Sequence, residues 1–245
     1  MVWYPIHYTV IPLTYLAVLS LAVLSRHLSQ KTRMNVLRIL WVLMLVSELL
    51  KNLIALHKGT HNALYYPFHY STTYLFTLPV YLFGRGRVRH WGAVQLFVGG
   101  LILFFTMLLS PYSVVGDTAN FFRSYHSFHS FFYHAAVLLI FCVFVASGDY
   151  RPTKWDPLLY LSFVVPWSVV ARRAALAFHI NYAGLWKPYI PVLRTVQRRW
   201  GDTAFLLLYG VGVALVATVS IFAYHFLRRT WGRRKSPSCS KKKAQ

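Results

Sequence analysis

Seven apolar runs, each long enough to cross a hydrocarbon core of about 30 Å, constrain this sequence more than anything else in it. They lie at Ile6 to Ser25, Asn35 to His57, Tyr66 to Gly84, Trp91 to Ser110, Phe121 to Gly148, Asp156 to Ile180 and Asp202 to Leu227. In lipid, backbone N–H and C=O groups must be satisfied within the protein, so runs of this kind read as helices. Charged residues make up only 13% of the chain, against about one quarter in soluble domains, which excludes an ordinary soluble enzyme. The first run has no basic flank before it, so it reads as a span and not as a cleaved signal peptide. The expected fold is an all-α integral membrane domain of seven transmembrane helices over residues 1–227, with a basic, disordered cytoplasmic tail at 228–245. The expected location is the cell membrane, as a multi-pass protein.

The chain carries 26 basic and five acidic residues, a net charge of +21. The bases sit in short connections and in the tail, a pattern for membrane orientation and anionic headgroups and not for nucleic acid. Arg26, Lys31 and Arg33, then Arg85, Arg87 and Arg89, then Arg151 and Lys154, and finally the tail all fall on one side. The positive-inside bias therefore predicts an outside N-terminus and a cytoplasmic C-terminus. Lys187, Arg194, Arg198 and Arg199, in the sixth connection, dissent. The two cysteines supply no disulfide framework. Nothing in the sequence names a protein partner or calls for a cofactor.

Polar residues inside the spans mark the candidate site. At about 100° per residue, Arg123, His126, His129, Ser130, Tyr133 and His134 fall on one face of the fifth run. With the predicted orientation, that stripe, Glu48, Lys51 and Asn52 in the second run, His69 to Thr73 in the third, and Arg172, Arg173 and Asn181 in the sixth share the outer leaflet. Charged groups at such depth face a bundle interior or a wet cavity. They are expected to form one cationic, histidine-rich chamber. Arg123, His126, His129, Arg172, Arg173, Asn181 and Lys187 would hold an anionic lipid headgroup, and His134 is the deepest imidazole. Glu48 is either the orienter of a histidine or the counter-ion of Lys51, Arg172 or Arg173. Zinc on His126, His129 and His134 together is strained, because His134 is turned about 140° from His129, so one ligand would come from His69 or Glu48. A retinal photoreceptor is excluded, because the last run has no lysine for the Schiff base.

The stretch Tyr65-Tyr-Pro-Phe-His-Tyr-Ser71 resembles the YwaF-like family of seven-span membrane proteins, whose motif is Leu-Pro-x-His-x-Cys. Pro67 and His69 match, Tyr66 replaces the leucine, and Ser71 stands at the cysteine. Ser47-Glu48, Phe131-Phe132-x-His134, Asn181-Tyr182 and Lys187-Pro188 extend the resemblance in order over Ile6 to Leu227. That family is related to an animal transmembrane acyltransferase acting on phospholipids, in which the motif cysteine is the proposed acyl carrier, paired with a histidine. The resemblance implies a catalytic centre of His69, Ser71 and His134, with Tyr182 among the substrate contacts. A hydroxyl in place of the thiol needs an adjacent base; His134 is the candidate, with Glu48 fixing its tautomer. On a straight helix His69 shares its face with Thr72 and Thr73, so Thr73 rivals Ser71 as nucleophile. The family usually has glutamine where His129 stands.

Three functions fit these residues. The first is acyl transfer or ester cleavage on a phospholipid or glycolipid. The second is a non-enzymatic flippase or transporter of anionic lipid or polyprenyl carrier, using the same chamber. The third is an intramembrane zinc hydrolase.

Overall fold

The computed structural model describes residues 6–116 and 124–234. Among these the chain is helical without a strand: α1 (His7–Ser25), α2 (Gln30–His57), α3 (Tyr74–Phe83), α4 (Gly86–Leu109), α5 (Pro111–Val115), α6 (Tyr125–Ser147), α7 (Asp156–Phe178) and α8 (Pro191–Arg234). Six of them, all but α3 and α5, are long and apolar enough to cross a membrane. Arg123 and the last residues of the tail, 235–245, lie outside the described residues.

The run expected to cross at Tyr66 to Gly84 departs from that expectation. It begins extended at Tyr66 (φ −70°, ψ 147°), as the residue before a proline prefers. It then makes a 3₁₀ turn at Tyr70–Thr73 and becomes α-helical for only ten residues, as α3. The Thr72 hydroxyl donates to the Pro67 and His69 carbonyls at 2.9 and 2.6 Å, and the Thr73 hydroxyl donates to the Tyr70 carbonyl at 2.7 Å. Such local bonds compete with an α-helix. The 3₁₀ turn and α3 together reach about 23 Å at ideal rises. Pro79 does not break α3. The carbonyl it strands, that of Leu75, accepts the Trp41 indole N–H at 3.1 Å from α2.

α4 and α6 sit in the middle. α4 packs on α3, α5, α6, α7 and α8, while α6 packs on α1, α2, α4 and α5. Glycine lets α4 come close to its neighbours: a Cβ on Gly92 would lie 2.6 Å from the Tyr81 backbone nitrogen, and one on Gly100 would lie 2.4 Å from both the Phe141 ring and the Tyr74 hydroxyl. Ser29 caps α2 by accepting the Thr32 N–H at 3.1 Å, and Ser124 caps α6 by accepting that of Ser127 at 3.2 Å. α8 holds a break at Gly201, whose φ of 82° and ψ of 178° suit glycine alone.

At the end of the bundle where α6 stops and α7 starts, a polar knot joins the elements. Asp156 is fully buried and accepts from the Tyr150 hydroxyl at 2.6 Å, the Thr153 N–H at 3.0 Å, the Thr153 hydroxyl at 2.5 Å and His90 Nε2 at 2.8 Å. Arg228 of α8 donates to the Tyr150 carbonyl, which ties the last helix to the same knot. Burial first, and then the bond to Asp156, push the Tyr150 phenol upward, so it stays a donor. Four donors on one buried carboxylate make Asp156 costly to remove. Asp156→Ala is expected to lower unfolding stability in detergent by about 3 kcal/mol or more, and Asp156→Asn by clearly less. Equal, small losses for both would mean the knot does not hold the fold.

Candidate functional site

The histidine-rich face forms at the opposite end of α6. Glu48, on the last turns of α2, is 7% exposed, and its Oε1 receives Lys51 Nζ from one turn further along at 2.5 Å. Its other oxygen lies 3.1 Å from His129 Nε2 on α6, close enough for attraction. Those two atoms are not aligned as a hydrogen bond, and neither makes another hydrogen bond among the described residues; the Tyr133 hydroxyl, also buried, makes none either. The Tyr133 ring lies 5.4 Å from that of His129. Three polar atoms are thus buried together with unmet hydrogen-bonding capacity, which native interiors seldom tolerate without a role.

His134 is held differently from the sequence-based expectation. Its Nδ1 lies 2.6 Å from the Ser130 carbonyl, one turn back. A carbonyl only accepts, so Nδ1 carries the hydrogen and Nε2 keeps its lone pair. The helix backbone, and not Glu48, fixes the tautomer. Electrostatic interactions link His134 to His69, His129 and Lys51, and link His69 to Lys51, Glu48 and His126. The structure therefore brings Glu48, Lys51, His69, His126, His129 and His134 into one cluster.

The connection from α2 to α3 roofs this cluster. Tyr65 lies across it, with Lys51 Nζ 5.8 Å, the His61 ring 5.3 Å and the His126 ring 5.5 Å from its own ring. His61 is fixed in turn by Asn52, 3.1 Å away. His69 precedes the 3₁₀ turn, and its ring meets Tyr182 at 5.2 Å. Ser71 is 4% exposed. Of the hydroxyls on that turn, Tyr70 bonds Tyr160, while Thr72 and Thr73 bond backbone carbonyls. The Ser71 hydroxyl makes no hydrogen bond among the described residues. Thr73 also lines a small internal cavity with Tyr70, Thr77, Gln95 and Tyr160, on the side of α4 and α7.

Other expected headgroup contacts lie elsewhere. Arg172 pairs with Asp202 at 2.5 Å and donates to the Leu185 carbonyl. Both Arg172 and Arg173 line a groove between α7 and α8. No hydrogen bond or ion pair joins them to the histidine cluster among the described residues. Asn181 staples its own loop: its Oδ1 accepts the Trp186 and Lys187 N–H groups at 3.3 and 2.9 Å, and its amide nitrogen donates to the Lys187 carbonyl at 2.8 Å. Tyr182 is fully buried and donates to the Ala63 carbonyl, wedging that loop against the roof. Lys187 Nζ stands 4.1 Å above the Trp186 ring. No three His, Cys, Asp or Glu side chains converge on a metal position among the described residues.

Sequence patterns missed the knot at Asp156, although Thr153-x-x-Asp156 has the spacing of a capping box, whose acidic side chain reaches back to the first residue's N–H. They also missed Asp202 as the partner of Arg172, a contact set by the break at Gly201.

The helices, their apolar outer faces and the buried polar clusters at both ends define a multi-pass α-helical membrane protein. The chain belongs to the TMEM164 family, whose model matches residues 3–222. No curated protein and no solved structure matches it.

If Glu48 and Lys51 are one structural unit, removing either alone strands a buried charge. Glu48→Leu and Lys51→Met are each expected to cost about 3 kcal/mol or more in unfolding experiments. The double variant should cost less than their sum by about 1–3 kcal/mol. Strict additivity would dissolve the pair.

Proposed function

We propose that this protein transfers or cleaves a fatty acyl ester of a membrane phospholipid or glycolipid, at the cluster roofed by Tyr65 and Tyr182. The observation that carries this reading is the sorting of polar groups around the 3₁₀ turn. Tyr70, Thr72 and Thr73 have engaged hydroxyls while Ser71 does not, and His134 presents an Nε2 lone pair with its tautomer fixed. The order of motifs shared with the YwaF-like family supports the same residues.

In this reading Ser71 Oγ attacks the ester carbonyl and its proton passes to His134 Nε2. The proton then goes to the departing lysolipid oxygen as the old ester bond breaks and leaves an acyl-serine. A hydroxyl of a second lipid, or water, attacks that ester with His134 again taking the proton, and Ser71 recovers it. His69 completes the catalytic centre with Ser71 and His134, Lys51 supplies positive charge for the headgroup with His126 beside it, and Glu48 holds His129 in place. Seven crossings follow if the 3₁₀ turn and α3 complete the third. The basic connections gather at the Asp156 end, which supports a cytoplasmic C-terminus, an outside N-terminus and a cluster in the outer leaflet. The cell membrane is the proposed location.

A second reading, a lipid flippase or transporter with no covalent step, is favoured by one fact: the Ser71 hydroxyl has no hydrogen bond to a histidine among the described residues. Both readings are decided by incubating purified protein with labelled phospholipid and lysophospholipid. Ser71→Ala and His134→Ala should each lower product formation by about 10³-fold, with Thr73→Ala within about tenfold of the unsubstituted protein. Turnover that survives Ser71→Ala and His134→Ala together ends the catalytic mechanism. Movement of fluorescent anionic lipid across liposomes, intact in Ser71→Ala, would establish the second reading.

A further inference from the structure

A groove of about 370 Å³ runs between α7 and α8, a volume within the range of small-molecule sites of about 300–1,000 Å³. Its walls are apolar, with Val165 and Val169 on α7 facing Leu206 and Val213 on α8, and Arg172 and Arg173 stand at its rim. Both helices are long and apolar enough to span a bilayer, so the groove opens among acyl chains.

Two details give the groove a chemistry. Arg172 is already neutralised by Asp202 at 2.5 Å, whereas Arg173 is exposed and makes no ion pair or hydrogen bond among the described residues. The second detail is Gly210 on the groove floor. Glycine inside a helix costs about 1 kcal/mol relative to alanine, and in membrane bundles close helix approach normally offsets that. Gly100 has such an approach; a Cβ built on Gly210 meets nothing within 4 Å. The absent side chain at Gly210 leaves a slot open toward lipid.

We propose that this groove binds one glycerophospholipid from the bilayer, with an acyl chain lying along Gly210 and its phosphate on Arg173. A soluble phosphate would make no use of the apolar length, and a neutral lipid would make no use of the unpaired guanidinium. The site goes beyond the acyl-transfer reading, since among the described residues no hydrogen bond or ion pair joins the groove to the histidine cluster. It stands whether or not Ser71 and His134 do chemistry.

The test is photolabelling of the full-length protein in nanodiscs. The probes are a phosphatidylglycerol carrying a diazirine in one acyl chain and, as the phosphate-free comparison, a diacylglycerol with the same chain. Phosphatidylglycerol adducts should concentrate in peptides covering 161–176 and 206–213. Gly210→Leu should reduce them by about fivefold or more. Gly212→Leu should leave them unchanged: a Cβ there also meets no atom within 4 Å, and Gly212 does not line the groove. Arg173→Gln should lower phosphatidylglycerol labelling toward the diacylglycerol level. Adducts spread evenly over the outer faces of α1, α2, α7 and α8 in the unsubstituted protein would overturn the proposal, and so would equal labelling of Gly210→Leu and Gly212→Leu. The adduct map of the unsubstituted protein decides the matter even where a leucine variant fails to fold.

Discussion

A carboxylate buried among apolar helices cannot be left alone. Transfer of a bare charge out of water costs several kilocalories per mole even after relaxation, so Glu48 dictates what must surround it. Lys51 answers one turn away on the same helix, and His129 is brought to the other oxygen by α6. The registration of α2 against α6 follows from that demand and is reinforced where Tyr125 donates to the Ser47 carbonyl at 3.1 Å. With α2 and α6 so aligned, His126 and His134 fall where the roof from Tyr65 to His69 can reach them. Much of the polar end of this bundle is a response to one acid.

The other end is built on the same logic from different material. Asp156 is surrounded by donors from α4 and from the connection before α7. Between the two ends, α6 covers about 34 Å at ideal rise, so the two buried acids stand roughly a bilayer core apart. One knot is closed, with every oxygen answered. The other keeps Glu48 Oε2, His129 Nε2 and the Tyr133 hydroxyl unsatisfied. That asymmetry separates a structural cluster from one that has room for something to arrive.

Sequence alone makes the spanning helices legible, because about twenty apolar residues between polar connections leave few alternatives in lipid. It fails at the third run for a local reason. Pro67 and the hydroxyls of Thr72 and Thr73 favour a 3₁₀ turn where a span read by its length alone predicts α-helix. The convergence of Glu48, His69, His129 and His134 is readable from helix phase and depth. Partner choice is not, since Glu48 could have met any of several cations, and Arg172 found Asp202 only because the chain turns at Gly201. Asn181 reads as a site residue because it is polar near the chamber, and Tyr182 through the resemblance; in the fold the polar groups of Asn181 are consumed by its own loop and that of Tyr182 by the Ala63 carbonyl.

The break at Gly201 also changes how this protein sits in a membrane. An unbroken helix from Pro191 to Arg234, 44 residues, would measure about 66 Å, twice a hydrocarbon core. The break separates the segment before it, and the apolar stretch Asp202 to Leu227 still measures about 39 Å. That excess over about 30 Å is hydrophobic mismatch, which a helix relieves by leaning or by gathering thicker lipid around itself. α8 touches its neighbours mainly along α7, so it is free to lean. The last helix thus carries more apolar length than a flat crossing of an average bilayer would cover.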